Sequence, residues 1–162
     1  MSSKTPTIRQ VAWISLIPQF VVMGLSILSW YLIDPQNAFI YGTLTYLILS
    51  FSLRTLIPKE HKKGIKNVKS GNFQEAILQF EKSYDFFNQF KWIDKYRYLV
   101  LLSSSRMSYK EMALNNIAFC YGQIGNGKKA KEYYERTLDE FPDSGLALSG
   151  LRLLNSMLTG KE

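Results

Sequence analysis

Few residues of this sequence have the types and spacing of a chemical site, and the most suggestive are two glycines and a lysine. In the stretch YGQIGNGKKA, Gly122 is separated by four residues from Gly127 and Lys128, which is the spacing of a phosphate-binding loop. Such a loop needs a hydrophobic strand before it and a Ser or Thr after its lysine to hold magnesium. Residue 129 is a second lysine, and the preceding EMALNNIAFCY has helical periodicity. We therefore expect no nucleotide site and no cofactor.

Other catalytic combinations lack a partner residue. His61 is the only histidine, so a triad or a His-based metal site has no second imidazole. Cys120 is the only cysteine and lies on an apolar helical face, where we expect it to be packed and reduced. Among the acids between residues 132 and 140, Glu132 and Glu135 have basic residues four positions away (Lys128, Lys131 and Arg136), as on a solvated helix face. The sequence therefore predicts neither an enzyme nor a metal site.

The elements around these residues fall into two parts with different composition. From Val11 to Leu53 the only charged residue is Asp34, and residues 11–33 form an uncharged run. At about 1.5 Å per residue, such a run spans the roughly 30 Å hydrocarbon core of a bilayer. A second uncharged run begins at Ala38 and reaches Ile57 if Arg54 extends its guanidinium to the headgroups. We predict a hairpin of two transmembrane helices, at about 11–33 and 38–57, within an N-terminal segment of residues 1–58.

The hairpin has two alternatives. A cleaved signal peptide is not expected, because its apolar region should be shorter and should end in small residues, whereas the first run ends in the bulky LSWYLI. A pair of buried helices in a soluble protein stays open, although tryptophans and tyrosines near the run ends favour membrane interfaces. If the hairpin forms, Gln19 is expected to face the other helix, and Ala38 and Gly42 provide a close-packing face.

Basic residues set the expected orientation. Lys4 and Arg9 precede the first run, the connection between the runs has no Lys or Arg, and Arg54 begins a basic stretch after the second. The positive-inside rule then places both termini and the C-terminal part in the cytoplasm. The lysines after the second run either contact anionic lipid or only fix the topology; they are Lys59, Lys62, Lys63, Lys66 and Lys69. From residue 59 onward, 17 Lys and Arg face 12 Asp and Glu, and most of this excess lies beside the membrane, so we expect no nucleic-acid binding.

The part after residue 58 contains an internal repeat. GIKNVKSGNFQEAILQFEKSYDFF, from Gly64, aligns without gaps with AFCYGQIGNGKKAKEYYERTLDEF, from Ala118. Apolar residues recur in both copies at steps of three and four, so each copy is predicted to be a helix, a Gly-Asn turn and a second helix. Ser108 and Glu111 are expected to form a capping box, and Asn126 to cap a helix beginning at Lys128.

The second copy resembles the tetratricopeptide repeat family. The residues at that family's spacing are Leu114, Ile117, Ala118, Tyr121, Gly125, Ala130, Tyr134 and Pro142. In the first copy Gly64, Gly71, Ala76 and Phe80 agree with the pattern. The resemblance implies an all-α fold: repeats at about 59–90 and 111–142, an insertion at 91–110 and a cap helix at 143–158, all within a domain of residues 59–162. It also implies a concave groove that binds a peptide or a helix, lined by Met112, Asn115, Asn116, Phe119, Gln123, Leu146, Ser149 and Leu153.

The insertion departs from the family, because the two copies lie 54 residues apart instead of 34. We expect a lengthened second helix, or an added helix from about Lys91 to Leu102, followed by a break at the serines 103–105. The aromatic residues around it are predicted to form the core of an enlarged first repeat, with an exposed ligand surface as the alternative; they are Phe86, Phe87, Phe90, Trp92, Tyr96 and Tyr98.

Two functional hypotheses follow. In the first, the chain is a membrane-anchored adaptor, or scaffold, whose cytoplasmic groove recruits a protein partner. In the second, it is a structural subunit or assembly factor of a membrane complex, which it contacts through the hairpin. Homodimerisation through exposed helix faces stays open under both hypotheses.

Overall fold

The structure is a computed structural model and describes the backbone of residues 11–159, with side chains through Ser156. Lys4 and Arg9, which contribute to the predicted orientation, lie outside the described residues. The predicted all-α class is confirmed, since residues 11–159 form helices, connections and one isolated bridge. The helices are α1 (Leu16–Tyr31), α2 (Ala38–Leu56), α3 (Lys59–Lys69), α4 (Phe73–Gln89), α5 (Lys91–Lys95), α6 (Arg97–Val100), α7 (Tyr109–Gln123), α8 (Gly127–Glu140) and α9 (Gly145–Thr159).

The described residues divide into two compact units that are not continuous in sequence. One, which we call the hairpin unit, contains residues 11–58 together with residues 92–106. The other, the helix-pair unit, contains residues 59–91 and 107–159. The sequence places the insertion with the repeats, whereas in the structure most of it packs with the hairpin.

In the hairpin unit, α1 packs along α2. The connection is closed by the Asp34 carboxylate, which accepts hydrogen bonds from the side-chain amide of Asn37 at 2.9 Å and from the backbone N–H groups of Gln36 and Asn37. These bonds, that of the Asn37 side chain first, hold the pKa of Asp34 below its ordinary value. Within the described residues, the stretches Trp13–Tyr31 and Ala38–Leu56 are long and apolar enough to cross a membrane, by length and composition.

In the helix-pair unit, each helix packs on the next along the chain. The contacts run from α3 to α4, from α4 to α7, from α7 to α8 and from α8 to α9. In addition, α3 touches α7 and α7 touches α9. The core between α4 and α7 is formed by Ala76, Ile77, Phe80, Ala113, Ile117 and Cys120.

The two helix pairs turn in the same way. Gly71 and Gly125 have φ angles of 76° and 79°. Glycine adopts this left-handed conformation without steric strain because it has no Cβ atom. In both turns the N–H of the following asparagine reaches a carbonyl five residues back, from Asn72 to Asn67 and from Asn126 to Tyr121, each at 2.9 Å. This bond is the closing bond of a Schellman motif. The internal repeat found in the sequence is therefore also a repeat of backbone geometry.

Candidate functional site

The candidate groove lies on α7 and α9, and local capping defines where α7 and the next helix, α8, begin. The Ser108 hydroxyl accepts a hydrogen bond from the Glu111 N–H at 3.1 Å, as predicted for the start of α7. At the next helix, α8, the Asn126 side chain accepts from the Lys129 N–H at 3.1 Å, and the helix begins at Gly127, one residue earlier than expected. These caps set the register of both helices.

The candidate groove residues differ in how accessible they are. Gln123, Ser149 and Leu153 are exposed. Half-buried positions are Met112, Asn116, Phe119 and Leu146. The Phe119 ring contacts the Phe73 ring edge to face, with 6.3 Å between centroids, so this residue links the candidate face to the core.

Asn115 is a different case, because it is buried. Its side-chain N–H groups donate to the Glu111 carbonyl at 3.0 Å and to the Ser144 hydroxyl at 3.3 Å, just before α9 begins. Its Oδ1 atom is buried without a hydrogen-bond partner among the described residues. Asn115 therefore ties α7 to the start of α9 and is not available to a ligand in an open groove.

A polar cluster that the sequence analysis did not identify joins three helices. The Glu140 carboxylate of α8 accepts a hydrogen bond from the Tyr84 hydroxyl of α4 at 2.7 Å and pairs with Lys110 of α7 at 2.9 Å. Arg136 pairs with the same carboxylate at 3.5 Å and lies over the Tyr84 ring, 4.6 Å from its centroid. Of these contacts, only the ion pair of Arg136 and Glu140 could be predicted from the sequence, because these residues lie four positions apart on one helix.

The pKa of Glu140 reflects this cluster. Partial burial alone would raise the pKa of the carboxyl, but the hydrogen bonds from Tyr84 and Lys110 outweigh it and the pKa lies below its ordinary value. Glu140 is therefore ionised at neutral pH and holds α4, α7 and α8 together.

The two residues with catalytic potential are buried. Burial lowers the pKa of His61 to about 4, and the ring packs edge to face on Phe80 and Tyr109. Burial raises the pKa of Cys120 to about 12, so the thiol stays protonated at neutral pH and is a poor nucleophile. Across the described part of the chain no three His, Cys, Asp or Glu side chains come close enough to hold a metal ion.

The lysines predicted to contact lipid are exposed and share one face of α3. At 100° per residue they fall within an arc of about 120°, and they are Lys59, Lys62, Lys63, Lys66 and Lys69. His61 and Gly64 lie on the opposite, buried face. Lys63 also pairs with Glu60 at 3.1 Å. The basic face begins two residues after α2 ends, because only Ile57 and Pro58 intervene.

The candidate packing residues of the hairpin contact each other's helix. Gly42 and Ala38 are buried, and a Cβ atom at Gly42 would lie 2.5 Å from the Ile27 Cα atom. The Gln19 side chain accepts a hydrogen bond from the Tyr46 hydroxyl at 3.5 Å and donates to the Ser15 hydroxyl at 3.4 Å. Gln19 and Gly42 therefore contact the opposite helix of the hairpin, and Ala38 is buried.

The aromatic residues around the insertion do not share one environment. Phe87 is buried and stacks on Tyr109, with 4.6 Å between centroids, and Phe86 packs edge to face on Phe87. Phe90, Trp92 and Tyr96 are exposed, and Tyr98 is half-buried. The core prediction is therefore wrong for Phe90, Trp92 and Tyr96, because the end of α4 and the short helices α5 and α6 leave these side chains exposed.

No protein-family model, curated protein or solved structure matches this chain.

Proposed function

We propose that this chain is a membrane-anchored, tetratricopeptide-like adaptor whose helix-pair unit binds a protein partner on the cytoplasmic face of a membrane. The order of helix contacts supports this proposal. Helix α3 contacts α7 and α7 contacts α9, while α4 packs against α3 and α7, and α8 packs against α7 and α9. This is the arrangement expected when helix pairs stack into a short solenoid. The matching turns at Gly71 and Gly125 support the same interpretation.

The surface of the hairpin supports membrane anchoring. Little of α1 or α2 is buried, and large apolar side chains such as Phe20, Leu28, Phe39 and Phe51 are exposed. In water this surface would be an aggregation hazard, whereas in a bilayer it meets hydrocarbon. Two pairs of polar side chains bond across the hairpin: Trp30 donates to Thr45 at 3.0 Å, and Tyr46 donates to Gln19.

The basic face of α3 supports the cytoplasmic orientation. The three steps from Leu56 to Lys59 extend by at most about 11 Å, so Lys59 lies within that distance of the end of α2. Near a membrane surface, anionic headgroups attract a lysine by about 1 kcal/mol.

The observation that carries partner binding is the mixed face of α7 and α9. Leu153 is 58% exposed, Ser149 is exposed one turn earlier on α9, and Gln123 is exposed at the end of α7. An exposed leucine among polar groups suits a peptide or helix that supplies its own apolar anchor.

The alternative, a complex subunit that acts through its hairpin, has lost part of its motivation. This alternative was motivated by Pro18, Gln19 and the Ala38/Gly42 face, and of these Gln19 and Gly42 contact the other helix of the hairpin. The alternative predicts that a partner is retained when the α7–α9 face is altered.

The test compares two leucine-to-glutamate variants of the full chain. Leu153→Glu alters the proposed face, and Leu78→Glu is the matched control, since Leu78 is 48% exposed on α4. Proteins that co-purify from native membranes in mild detergent are compared by quantitative mass spectrometry. We expect a partner of the wild type to be lost with Leu153→Glu and kept with Leu78→Glu. A partner kept by both variants would direct attention to the hairpin.

A further inference from the structure

We propose that the insertion, residues 92–106, is a membrane-surface segment whose Trp92, Tyr96 and Leu99 side chains enter the boundary between headgroups and acyl chains. The proposal rests on the membrane insertion of α1 and α2 proposed above. It assigns a lipid-binding role to a part of the chain that the tetratricopeptide-like repeats do not account for.

The insertion is attached to one end of the hairpin. The Ala12 N–H donates to the Ser104 carbonyl at 2.9 Å, and Val11 and Ser105 form an antiparallel bridge. The Arg54 guanidinium donates to the Leu102 carbonyl. Ala12 precedes α1 and Arg54 lies in the last turn of α2, so both attachments are at the end where the chain enters and leaves the hairpin.

The insertion also has internal order. The Arg97 guanidinium donates to the carbonyls of Asp94 at 2.9 Å and Ser105 at 3.1 Å, which joins the two ends of the segment. The Ser103 N–H donates to the Arg97 carbonyl at 3.1 Å. A segment held in this way presents its exposed side chains at a defined place beside the hairpin.

Three large side chains of this ordered segment are exposed. Trp92 is 55%, Tyr96 53% and Leu99 56% exposed. The Tyr96 N–H donates to the Trp92 carbonyl and the Leu99 N–H to the Tyr96 carbonyl, both at 2.9 Å. Helical hydrogen bonds of this kind bring residues three and four apart next to each other on one side of the chain. From this spacing we infer that the three side chains lie along one side of the segment as an apolar stripe.

The position of the stripe indicates that lipid covers it. A bilayer that covers α1 and α2 has one of its interfaces at the end where the insertion is attached. Tryptophan and tyrosine favour this region, because their rings are apolar and their N–H and O–H groups can still reach water or headgroups. Lys95, exposed between Trp92 and Tyr96, adds a positive charge suited to anionic headgroups.

The test measures the depth of Trp92 in vesicles of phosphatidylcholine and phosphatidylglycerol. The full chain with Trp13→Phe and Trp30→Phe keeps Trp92 as its only tryptophan. The matched control, with Trp13→Phe and Trp92→Phe, keeps Trp30 in the last turn of α1. Fluorescence is measured with lipids brominated near the headgroup end or the methyl end of the acyl chain, and with acrylamide in the water. Circular dichroism checks helicity, because Trp30→Phe removes the bond to Thr45.

We expect lipid brominated near the headgroup end to quench about half of the Trp92 emission, and lipid brominated near the methyl end to quench less. Quenching of Trp30 but not of Trp92 would overturn the inference and leave the membrane hairpin standing. If neither tryptophan is quenched, the membrane insertion of the hairpin fails, and the inference fails with it. If neither acrylamide nor brominated lipid quenches Trp92, the side chain is covered by protein, either a second copy of this chain or another partner. That result also overturns the inference.

Discussion

Acidification should destabilise the helix-pair unit through His61. Its imidazole is buried on α3 between the rings of Phe80 and Tyr109, and its Nδ1 atom lies 3.4 Å from the Ser83 hydroxyl. The pKa of His61 is about 4 in the folded chain, against an ordinary value of 6.5. As the pH falls, the unfolded chain therefore binds this proton first. The stability contributed by neutral His61 is present above pH 6.5 and is lost as the pH falls towards 4.

The size of the effect follows from the difference between the two pKa values. At 1.36 kcal/mol per pKa unit, the loss between neutral pH and about pH 4.5 is about 2–3 kcal/mol in the free energy of unfolding. Carboxyl groups of the unfolded chain begin to bind protons near the lower end of this range, so the wild type alone cannot isolate the histidine.

The assay therefore compares the wild type with His61→Gln, which does not titrate and can still bond to the Ser83 hydroxyl. Chemical unfolding of the detergent-solubilised full chain is followed by far-ultraviolet circular dichroism from about pH 7.5 to 4.5. We expect the wild type to lose about 2–3 kcal/mol more than His61→Gln over this range, whatever the stability of the variant at neutral pH. Equal pH dependence of the two proteins would show that His61 is not buried as a neutral imidazole.

Two glycine pairs provide further tests. An alanine at Gly64 would place its Cβ atom 2.6 Å from a buried phenylalanine ring, whereas one at Gly122 meets its nearest neighbour at 4.0 Å. We expect Gly64→Ala to be about 1–3 kcal/mol less stable than Gly122→Ala in chemical unfolding, and equal stability would refute close packing of α3 on α4. In the hairpin, Gly42→Ala should lower the thermal stability in detergent, whereas Gly24→Ala, which meets no atom within 4 Å, should not. If Gly24→Ala is the more damaging change, the observed α1–α2 contact is wrong.

Local features of the fold could be predicted from sequence because they depend on neighbouring residues. Ser108 caps α7 through a bond to the N–H three residues later, and Asn126 does the same for α8. Gly71 and Gly125 take up left-handed angles where the Gly-Asn turns were expected. Such features depend on the conformational preferences of a few consecutive residues.

The candidate groove could be predicted only in part. Periodicity places Asn115 on the same helix face as Met112 and Phe119, but it does not show that Ser144 covers that position. Likewise, the spacing of Arg136 and Glu140 predicts their ion pair, whereas Tyr84, 56 positions from Glu140, joins it only through packing. A contact between residues distant in sequence leaves no local pattern to recognise.

The insertion shows the same division most clearly. Composition and the repeat period indicate two apolar runs, an internal repeat and extra residues between its copies. These features depend only on residue types and on their spacing along the chain. Whether those extra residues extend a repeat or join the hairpin depends on which surface accepts them. The hydrogen bonds from Ala12 to Ser104 and from Arg54 to Leu102 settle that choice, and each links residues more than forty positions apart. The helical segments can therefore be predicted from the order of residues. Which segments pack together in one unit depends on tertiary contacts and hydrogen bonds that exist only once the chain has folded.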